Sequence, residues 1–368
     1  MNRSTLIRRI RPALAERPRV AGFLRGADAS LSRLHHSLAS AFPRLIQPQP
    51  RQLTIAVTAA CNLRCIGCLY GRDFMAGERL PREVMLQLVE DAKACGINRV
   101  RLYGGEPLLH PDLPDVIRHS TSLGLDTYVT TNGVLLGKRI DQLYDAGLRW
   151  LTIGFYGVGD EYDSYTQRKG HYQRLEESLA AVRSSYGSKV EMQLNFVLLQ
   201  PTCNMEALHQ AWSFAERFDM HFHLDLYGYS VPFFTDPDRE LAFGPEDREQ
   251  VEEVCAEILR LKATRPGRIP HSDEFLRSVP DWLLKGADMR VPCDAYQLVW
   301  VGADGTVQLC DVTFKLGNVH EKRLREILFT PEHRSACRDG FQLKCPNCTC
   351  KADGRILKHA ESYRRYRG

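Results

Sequence analysis

The chain has 368 residues, 43% of them apolar and 26% charged, which favours one large folded domain with smaller appendages. The sequence contains neither a run of about 18 apolar residues, as a membrane span needs, nor an apolar secretion signal, so the bulk of the chain is expected in the cytoplasm. Most of the twelve cysteines are grouped within residues 61–68 and 293–350, which does not fit a secreted disulfide framework and predicts metal ligands in a reducing compartment.

The net charge of +4 is distributed unevenly along the chain. Residues 1–51 contain ten arginines and two acidic residues, Glu16 and Asp28, which gives this segment a net charge of +8. The remaining 317 residues carry 39 basic and 43 acidic side chains, so the whole basic excess is N-terminal. Nucleic-acid binding is not expected, because no aromatic side chains are interleaved with these arginines to stack on bases.

Two helices are predicted in this basic segment, near residues 5–15 and 28–42. The second places five apolar residues on one face at helical spacing: Leu31, Leu34, Leu38, Ala41 and Phe42. Most amphipathic helices pack such a face against the core, and this is the preferred interpretation. The alternative is peripheral contact of the basic, amphipathic segment with an anionic membrane surface or an anionic partner.

Residues 52–230 alternate strand-like and helix-like stretches, a pattern typical of successive βα units with parallel strands. The predicted strands are 52–58, 99–103, 125–130, 149–155, 190–198 and 221–229. Six units are too few to close an eight-stranded barrel. We therefore expect an α/β fold with an open, partial (βα)6 barrel of parallel strands and a site at the carboxyl ends of those strands.

Three cysteines, Cys61, Cys65 and Cys68, follow the first predicted strand on one short loop. A [4Fe–4S] cluster takes four thiolate ligands, so a set of three leaves one iron open to an exogenous chelator. A zinc loop is the alternative. Zinc needs a fourth ligand close by, however, and no His or Cys follows Cys68 until Cys95.

The stretch Gly104-Gly105-Glu106-Pro107 follows the second predicted strand, and its glycines let the backbone approach a ligand closely. In this order, the three-cysteine loop and the Gly-Gly-Glu stretch resemble the radical S-adenosylmethionine (SAM) superfamily. The resemblance implies that the amino and carboxylate groups of SAM chelate the open iron, and that an electron from the cluster cleaves SAM to a 5′-deoxyadenosyl radical. This radical would abstract a hydrogen atom from the substrate, with flavodoxin or ferredoxin as the expected electron donor.

The candidate SAM-binding residues lie near the ends of several predicted strands: Gly104, Gly105, Glu106, Thr131, Asn132, Arg168 and Asn195. By family match, the Gly-Gly-Glu stretch receives the methionine amine, for which a carboxylate is a suitable partner, and Thr131-Asn132 contacts polar groups of SAM. The guanidinium of Arg168 suits the SAM carboxylate, with an ordinary surface arginine as the alternative. Asn195 either satisfies a core network or reaches the ribose or carboxylate of SAM.

Polar residues alternate along the sixth predicted strand: His221, His223, Asp225, Tyr227 and Tyr229. Alternation places all five on one face, which we expect to line the barrel interior. The candidate catalytic residues are Asp225, Tyr227, Tyr156 and Cys203. The carboxylate or a tyrosine would take a proton from a substrate radical, and the thiol would return a hydrogen atom, as an epimerase needs. The alternatives are a hydrogen-bonded wall without proton transfer and an inert, buried cysteine.

The last third of the chain contains the second cysteine group. Cys293 and Cys310 flank an Asp-Gly turn between two strand-like stretches, which predicts a hairpin that brings the two thiols together. The Cys-x11-Gly-x4-Cys spacing and the following 345–350 stretch resemble the SPASM or Twitch extension of radical SAM enzymes, which implies one auxiliary [4Fe–4S] cluster. The expected ligands are Cys293, Cys310, Cys345 and Cys348, with Cys350 or Cys337 as substitutes. A zinc ribbon of the same four residues is the alternative.

The predicted organisation is a basic helical segment (1–50), a radical SAM core (51–230), a helical bridge (231–290) and an auxiliary-cluster region (291–368). We expect an enzyme that oxidises or otherwise modifies a small organic substrate, such as a sugar, an aminocyclitol or a lipid-linked molecule, because no strand is predicted before residue 51 to build a peptide-recognition domain. The alternatives are a maturase or epimerase of a ribosomally made peptide and a non-catalytic metal-binding interaction protein. The Gly-Gly-Glu stretch counts against the last of these.

Overall fold

Parallel strands alternate with helices through the first two thirds of the chain. The computed structural model describes residues 18–235 and 239–368, with side chains from residue 26 onward. The first six strands are β1 (Gln52–Thr58), β2 (Arg99–Gly104), β3 (Asp126–Thr131), β4 (Trp150–Phe155), β5 (Glu191–Leu198) and β6 (His221–Leu226). The helices before and between them are α1 (Pro18–Ala41), α2 (Arg82–Ala94), α3 (Leu113–Ser122), α4 (Leu136–Asp145), α5 (Asp160–Thr166), α6 (His171–Tyr186) and α7 (Met205–Arg217).

The six strands lie in the order β6-β5-β4-β3-β2-β1, and each neighbouring pair is parallel. The predicted partial barrel is confirmed. Strand β6 ends at Leu226, earlier than the predicted residue 229, because the chain turns at Tyr229-Ser230 ahead of Pro232. The predicted helix 28–42 is the C-terminal part of α1, and the predicted helix near residues 5–15 lies outside the described residues.

The C-terminal third extends the same sheet. Helices α8 (Arg248–Thr264) and α9 (Asp273–Lys285) lead to strands β7 (Leu298–Val301), β8 (Thr306–Gln308) and β9 (Lys315–Asn318). Strand β7 pairs in parallel with β1, and β8 and β9 continue as antiparallel strands, which confirms the predicted hairpin and makes a nine-stranded sheet. Four helices complete the chain: α10 (Leu324–Ile327), α11 (Pro331–Phe341), α12 (Ala352–Lys358) and α13 (Ala360–Tyr366).

The two faces of the parallel strands differ in chemistry. Residues on the outer face, such as Leu151, Phe196 and Phe222, are buried with the inner faces of the helices in one apolar core. The inner face is polar: Arg101 Nε donates to the hydroxyl of Thr130 at 2.9 Å, and that hydroxyl lies 2.7 Å from the Thr152 hydroxyl. Since strand residues alternate between faces, the apolar outer positions place the polar ones inside the partial barrel.

Helix α1 packs against the C-terminal region through its polar side. The ring of His36 is buried, with Nε2 3.1 Å from Asp294 Oδ1 and 3.2 Å from the hydroxyl of Tyr296. Ala39 is buried on the same side, while Leu34 is 56% exposed on the other. The preferred prediction, that the apolar face covers the core, is therefore wrong, because the buried histidine and its carboxylate partner orient the helix. Among the described helices, none is long and apolar enough to cross a bilayer.

One arginine joins the loops at the opposite rim of the sheet from the cysteine loop. The guanidinium of Arg183 in α6 donates to four backbone carbonyl oxygens at 2.6 to 2.7 Å, those of Gly187, Val190, Phe218 and Asp219. Because these carbonyls belong to the segments that precede β5 and β6, one side chain holds both strand entries together.

Removal of this contact is expected to destabilise the fold. Arg183→Ala should lower the free energy of unfolding by about 2 kcal/mol, because carbonyls that accept from a charged donor lose their partner. The measurement is anaerobic urea denaturation followed by circular dichroism. Arg174→Ala, at an exposed position of the same helix, is the control and should leave the midpoint unchanged. Equal midpoints for the two variants would contradict the assignment.

Candidate active site and auxiliary cysteines

The three-cysteine loop follows β1 directly and lies at the carboxyl end of the sheet. Cys61, Cys65 and Cys68 are half-buried. Burial, with the charges of Glu106 and Cys68, raises the pKa of Cys61 to about 12, and burial with the charges of the other two thiols raises the pKa of Cys65. Crowded thiols become stable thiolates when a cation compensates their charge, so this donor set fits an iron–sulfur cluster.

A single metal ion is a different case. Among the described residues, no group of three or more His, Cys, Asp or Glu side chains is arranged to hold one ion. A cluster of four irons needs a wider ring of thiols than one ion does, because each thiolate binds a separate iron.

The cysteine loop is held in place by α5 and by an arginine. The amide of Arg64 donates to the carbonyl of Thr166, at the end of α5, at 3.1 Å. The guanidinium of Arg72 donates to the carbonyl of Arg64 at 3.0 Å and to that of Cys65. Arg72 was not predicted, although a basic residue four positions after the last cysteine is a plausible sequence signal for a positive partner of thiolates.

Residues 231–235 of the bridge cover the other side of the loop. Leu69 N donates to the carbonyl of Phe233 at 2.9 Å, and Thr235 N donates to that of Gly67 at 2.8 Å. Gly67 has a φ of +76°, and a Cβ there would lie 2.6 Å from Thr235 O. This segment was predicted only as a linker, because its pairing with the loop spans more than 160 residues of sequence.

Gly104 and Gly105 permit close contact between the ends of β2 and β1. Gly104 has a φ of +144°, and a Cβ there would lie 2.2 Å from the carbonyl oxygen of Thr58. A Cβ on Gly105 would lie 2.3 Å from the carbonyl oxygen of Ala60. The glycines were predicted to admit a ligand. In the structure they admit the backbone that begins the cysteine loop.

Glu106 is fully buried and joins the segments after β2 and β3. Its carboxylate accepts hydrogen bonds from the Thr131 hydroxyl at 2.8 Å, the Asn132 amide at 2.8 Å and the Leu108 amide at 2.9 Å. Burial raises the pKa of Glu106 to about 7, although these three hydrogen bonds oppose the rise. Asn132 Nδ2 also donates to Asn62 Oδ1 in the cysteine loop at 2.9 Å. The predicted residues after β2 and β3 therefore meet at the loop.

The last two candidate SAM-binding residues, Arg168 and Asn195, lie in different parts of the barrel. Arg168 is beside the cysteine loop, where its Nε donates to the carbonyl of Asn62 at 3.3 Å. Asn195 lies on the inner face of β5 opposite Gly154 of β4, and its Oδ1 accepts from Gln193 at 2.8 Å. The structure thus brings Arg168 to the loop and places Asn195 within the polar inner face of the barrel.

Two tyrosines stand beside the loop. The ring of Tyr156 stacks on that of Tyr165, with centroids 4.4 Å apart, and burial with the charge of Cys65 raises the pKa of Tyr156. The hydroxyl of Tyr162, which was not predicted, donates to the carbonyl of Asn132 at 3.5 Å. The structure therefore places the candidate Tyr156 close to the thiols.

Asp225 lies on the inner face of β6 together with His223. His223 Nε2 is 3.5 Å from Asp225 Oδ1. Burial would raise the pKa of Asp225, but the neighbouring His223 and Arg101 outweigh it, and the pKa lies below its ordinary value. Asp225 is therefore a carboxylate at neutral pH, next to an imidazole and a guanidinium.

The remaining two candidate catalytic residues lie outside strand β6. Tyr227 follows the end of β6 at Leu226, and its ring contacts that of Phe234, with centroids 5.8 Å apart. Cys203, in the loop between β5 and α7, is buried in the outer apolar core, where burial raises its pKa to about 12. A thiol in the outer core does not support hydrogen-atom return to a substrate inside the barrel.

His271, in the bridge before α9, supports His223 from behind. Its Nε2 accepts from the amide of Leu224 at 3.0 Å, and its Nδ1 lies 3.3 Å from Asp353 Oδ2. These contacts assign the proton to Nδ1, and burial lowers the pKa of His271, so the ring is neutral. Its centroid is 4.2 Å from that of His223. His271 was not predicted. Its position before the capping Ser272 of α9 was the available signal.

The second cysteine group converges in the C-terminal extension. Burial raises the pKa of Cys293 and of Cys310. The charge of Cys348 raises the pKa of Cys293 further, and the charge of Cys293 raises that of Cys310. Cys348 and Cys350 shift each other's pKa, and the charge of Cys310 also acts on Cys350. Cys337 is buried within α11. Cys350 is thus better placed than Cys337 to complete the set.

The loop that carries these cysteines is fastened by a buried arginine. The guanidinium of Arg355 donates to the carbonyls of Val291 and Cys348 and, at 3.0 Å, to Asn347 Oδ1. Tyr229, predicted to face the barrel interior, instead lies near these thiols and donates to the carbonyl of Gly286 at 3.0 Å. The turn after β6 accounts for this difference.

A methyl group at Gly105 is expected to displace the cysteine loop. In Gly105→Ala, the new Cβ meets two backbone carbonyls that move only with the loop itself. The iron content after anaerobic reconstitution should fall by about half, because the displaced loop no longer binds one of the two clusters. Gly267→Ala, where a Cβ has no atom within 4 Å, is the control and should retain full iron. Full iron in Gly105→Ala would contradict this role.

The auxiliary ligand set is tested by a pair of cysteine variants. Cys350→Ala should reduce iron from about eight to about four atoms per chain, because removal of one of its protein ligands destabilises the auxiliary cluster. Cys337→Ala should keep the wild-type iron content, since this thiol is buried within α11 and no other cysteine contributes to its raised pKa. Iron and acid-labile sulfide analyses measure both. The assignment fails if the two variants lose iron equally.

Comparisons with known proteins agree with this geometry. A family model described as the radical SAM superfamily matches residues 55–210, and a model described as an iron–sulfur cluster-binding domain, SPASM, matches residues 293–351. A solved structure of anSMEcpe with bound AdoMet and Kp18Cys peptide shares the fold, with a TM-score of 0.63 and 16% identity over 86% of this chain and 96% of that one.

Two curated relatives illustrate the sequence similarity. A GTP 3′,8-cyclase from Chlorobaculum tepidum is 32% identical over 154 residues, 41% of this chain and 46% of that protein. An AdoMet-dependent heme synthase from Methanosarcina barkeri is 26% identical over 329 residues, 82% of this chain and 89% of that protein. The chain spans about half the length of the cyclases that it matches.

These findings favour iron–sulfur clusters over zinc at both cysteine groups, and an enzyme over a non-catalytic interaction protein. Both matched models cover the cysteine sets that the structure assembles. The chain therefore contains a radical SAM domain at residues 55–210 and a C-terminal SPASM domain at residues 293–351, which indicates a radical-modifying enzyme whose cofactors are a [4Fe–4S] cluster, SAM and an auxiliary cluster.

Proposed function

We propose that this enzyme cleaves SAM reductively at the Cys61–Cys68 loop and abstracts a hydrogen atom from a small organic substrate inside the partial barrel, such as a sugar, an aminocyclitol or a lipid-linked molecule. When bound, the first cluster supplies the electron for that cleavage, and the auxiliary cluster accepts the electron that an oxidised substrate gives up. The observation that supports the proposal is the convergence of three crowded thiols with the Glu106, Thr131 and Asn132 network at one rim.

The residues around the loop have complementary proposed roles toward SAM. Glu106 positions Thr131 and Asn132, and its negative charge suits a nearby ammonium group. Arg168, held beside the loop at Asn62, suits a carboxylate because its planar guanidinium donates in parallel. Oriented groups of this kind hold a ligand in one pose, which favours reaction at a single substrate position.

The polar inner face supports a substrate rich in hydroxyl or amino groups. Arg101, Thr130 and Thr152 present donors and acceptors along three neighbouring strands. Oxidation of an alcohol removes a hydrogen atom, a proton and an electron from one carbinol. Asp225 is the proposed proton acceptor, because it is a carboxylate held next to His223.

A peptide substrate is the second candidate. The fold is shared with anSMEcpe, which was solved with a peptide, over most of both chains. The small molecule is favoured because the curated relatives are named for GTP and heme chemistry, and because the inner face is lined with polar side chains. The cytoplasmic location and a flavodoxin or ferredoxin donor belong to this proposal as well.

The proposed chemistry predicts a product that is simple to measure. Reconstituted wild-type protein with dithionite and SAM should release 5′-deoxyadenosine, and Cys65→Ala should release none while it keeps about half of the visible absorbance, that of the auxiliary cluster. Cys95→Ala, outside both cysteine groups, is the control and should match the wild type. The proposal would be contradicted by a wild-type protein that holds both clusters and forms no 5′-deoxyadenosine with any electron donor.

The substrate class is tested in the same assay. A true substrate should stimulate 5′-deoxyadenosine formation and transfer deuterium from its labelled carbon to that product. Sugars, aminocyclitols and lipid-linked sugars form one panel, and short peptides form the other. Deuterium transfer from peptides alone would select the second candidate.

A further inference from the structure

We propose that the exposed face of α1 docks on an anionic membrane surface. Five large apolar side chains form this face, called here the apolar stripe: Leu31 (60% exposed), Leu34 (56%), Leu38 (45%), Phe42 (64%) and Leu45 (45%). At 100° per residue, Leu31, Leu34, Leu38 and Phe42 fall on one side of the helix, and Leu45 follows in the short turn after it. A contiguous exposed patch of this kind marks an interaction surface.

Helix α1, which carries the apolar stripe, is firmly attached to the rest of the protein. On its opposite side α1 is anchored by His36, buried between Asp294 and Tyr296. Arg33 adds a second anchor, because its guanidinium lies 4.2 Å from the ring centroid of Tyr363 and donates to the carbonyl of Leu357. The helix therefore presents its stripe outward in a fixed orientation, because Arg33 and His36 attach its other side to the fold.

Charge identifies the partner. Residues 1–51 have a net charge of +8, and Asp28 is the one acidic residue between 18 and 51. A second copy of this chain would bring two such segments together, and their charges would repel. An anionic bilayer offers the opposite charge at its surface and an apolar layer beneath it, so it matches both properties of α1.

The geometry is that of a helix lying in the membrane plane. Helix α1 has 24 residues and is about 36 Å long. Leucine and phenylalanine side chains would enter the boundary between headgroups and acyl chains, and the basic excess of residues 1–51 would be attracted to the anionic headgroups. Binding should therefore depend on both the stripe and the ionic strength.

The experiment is flotation of the full-length, cluster-loaded enzyme with vesicles. Vesicles of phosphatidylcholine with about one quarter phosphatidylglycerol should bind the wild type at least about tenfold more strongly than phosphatidylcholine alone, and high salt should weaken binding. The triple variant Leu31→Gln, Leu34→Gln, Leu38→Gln should lose at least about tenfold in binding to the anionic vesicles. Its thermal midpoint and 5′-deoxyadenosine formation should match the wild type, because these side chains are exposed.

Leu109→Gln is the matched control, since Leu109 is a leucine of 40% exposure outside α1. It should bind vesicles as the wild type does. The proposal is overturned if the wild type does not bind anionic vesicles, or if the triple variant binds them equally well. Light scattering that shows a wild-type dimer, a monomeric triple variant and no vesicle binding would also overturn it and would identify a second copy as the occupant.

Discussion

The close contact between the ends of β1 and β2 is the constraint on which the active site depends. Two glycines allow the carbonyls of Thr58 and Ala60 to approach the β2 backbone to a distance that a Cβ would not permit. The cysteine loop begins at this contact, and Glu106 follows it directly. The position of the thiols relative to the Glu106 network is therefore set by backbone packing, which is rigid, and not by flexible side chains.

The sheet also connects the first cysteine loop to the auxiliary cysteines. Strand β7 pairs with β1, so the strand that leads into the first cysteine loop is adjacent to the hairpin that carries Cys310. The bridge contacts two parts of the barrel. Residues 231–235 cover the cysteine loop, and His271 packs against His223 on the inner face. One continuous sheet thus supports both cysteine groups and carries the polar inner face.

Helix α1 shows how a buried polar contact overrides a hydrophobic pattern. The apolar face predicted inward packing, yet His36 with Asp294 and Lys358 directs the opposite face to the protein. A buried carboxylate without hydrogen-bonding or charged partners would be costly, so these contacts of Asp294 determine the orientation of the helix. Five apolar side chains are consequently displayed to the outside next to a basic N-terminal segment.

Features that depend on neighbouring residues could be predicted before the structure was known. Cysteine spacing, the Gly-Gly-Glu stretch and strand alternation predicted the family, the six parallel strands and the convergence of Glu106, Thr131 and Asn132 at the loop. Four features became visible only in the folded chain: the pairing of β7 with β1, the contacts of His271, the position of Cys203 in the outer core and the outward stripe of α1. These depend on contacts between residues far apart in the chain, and local periodicity carries no information about such partners.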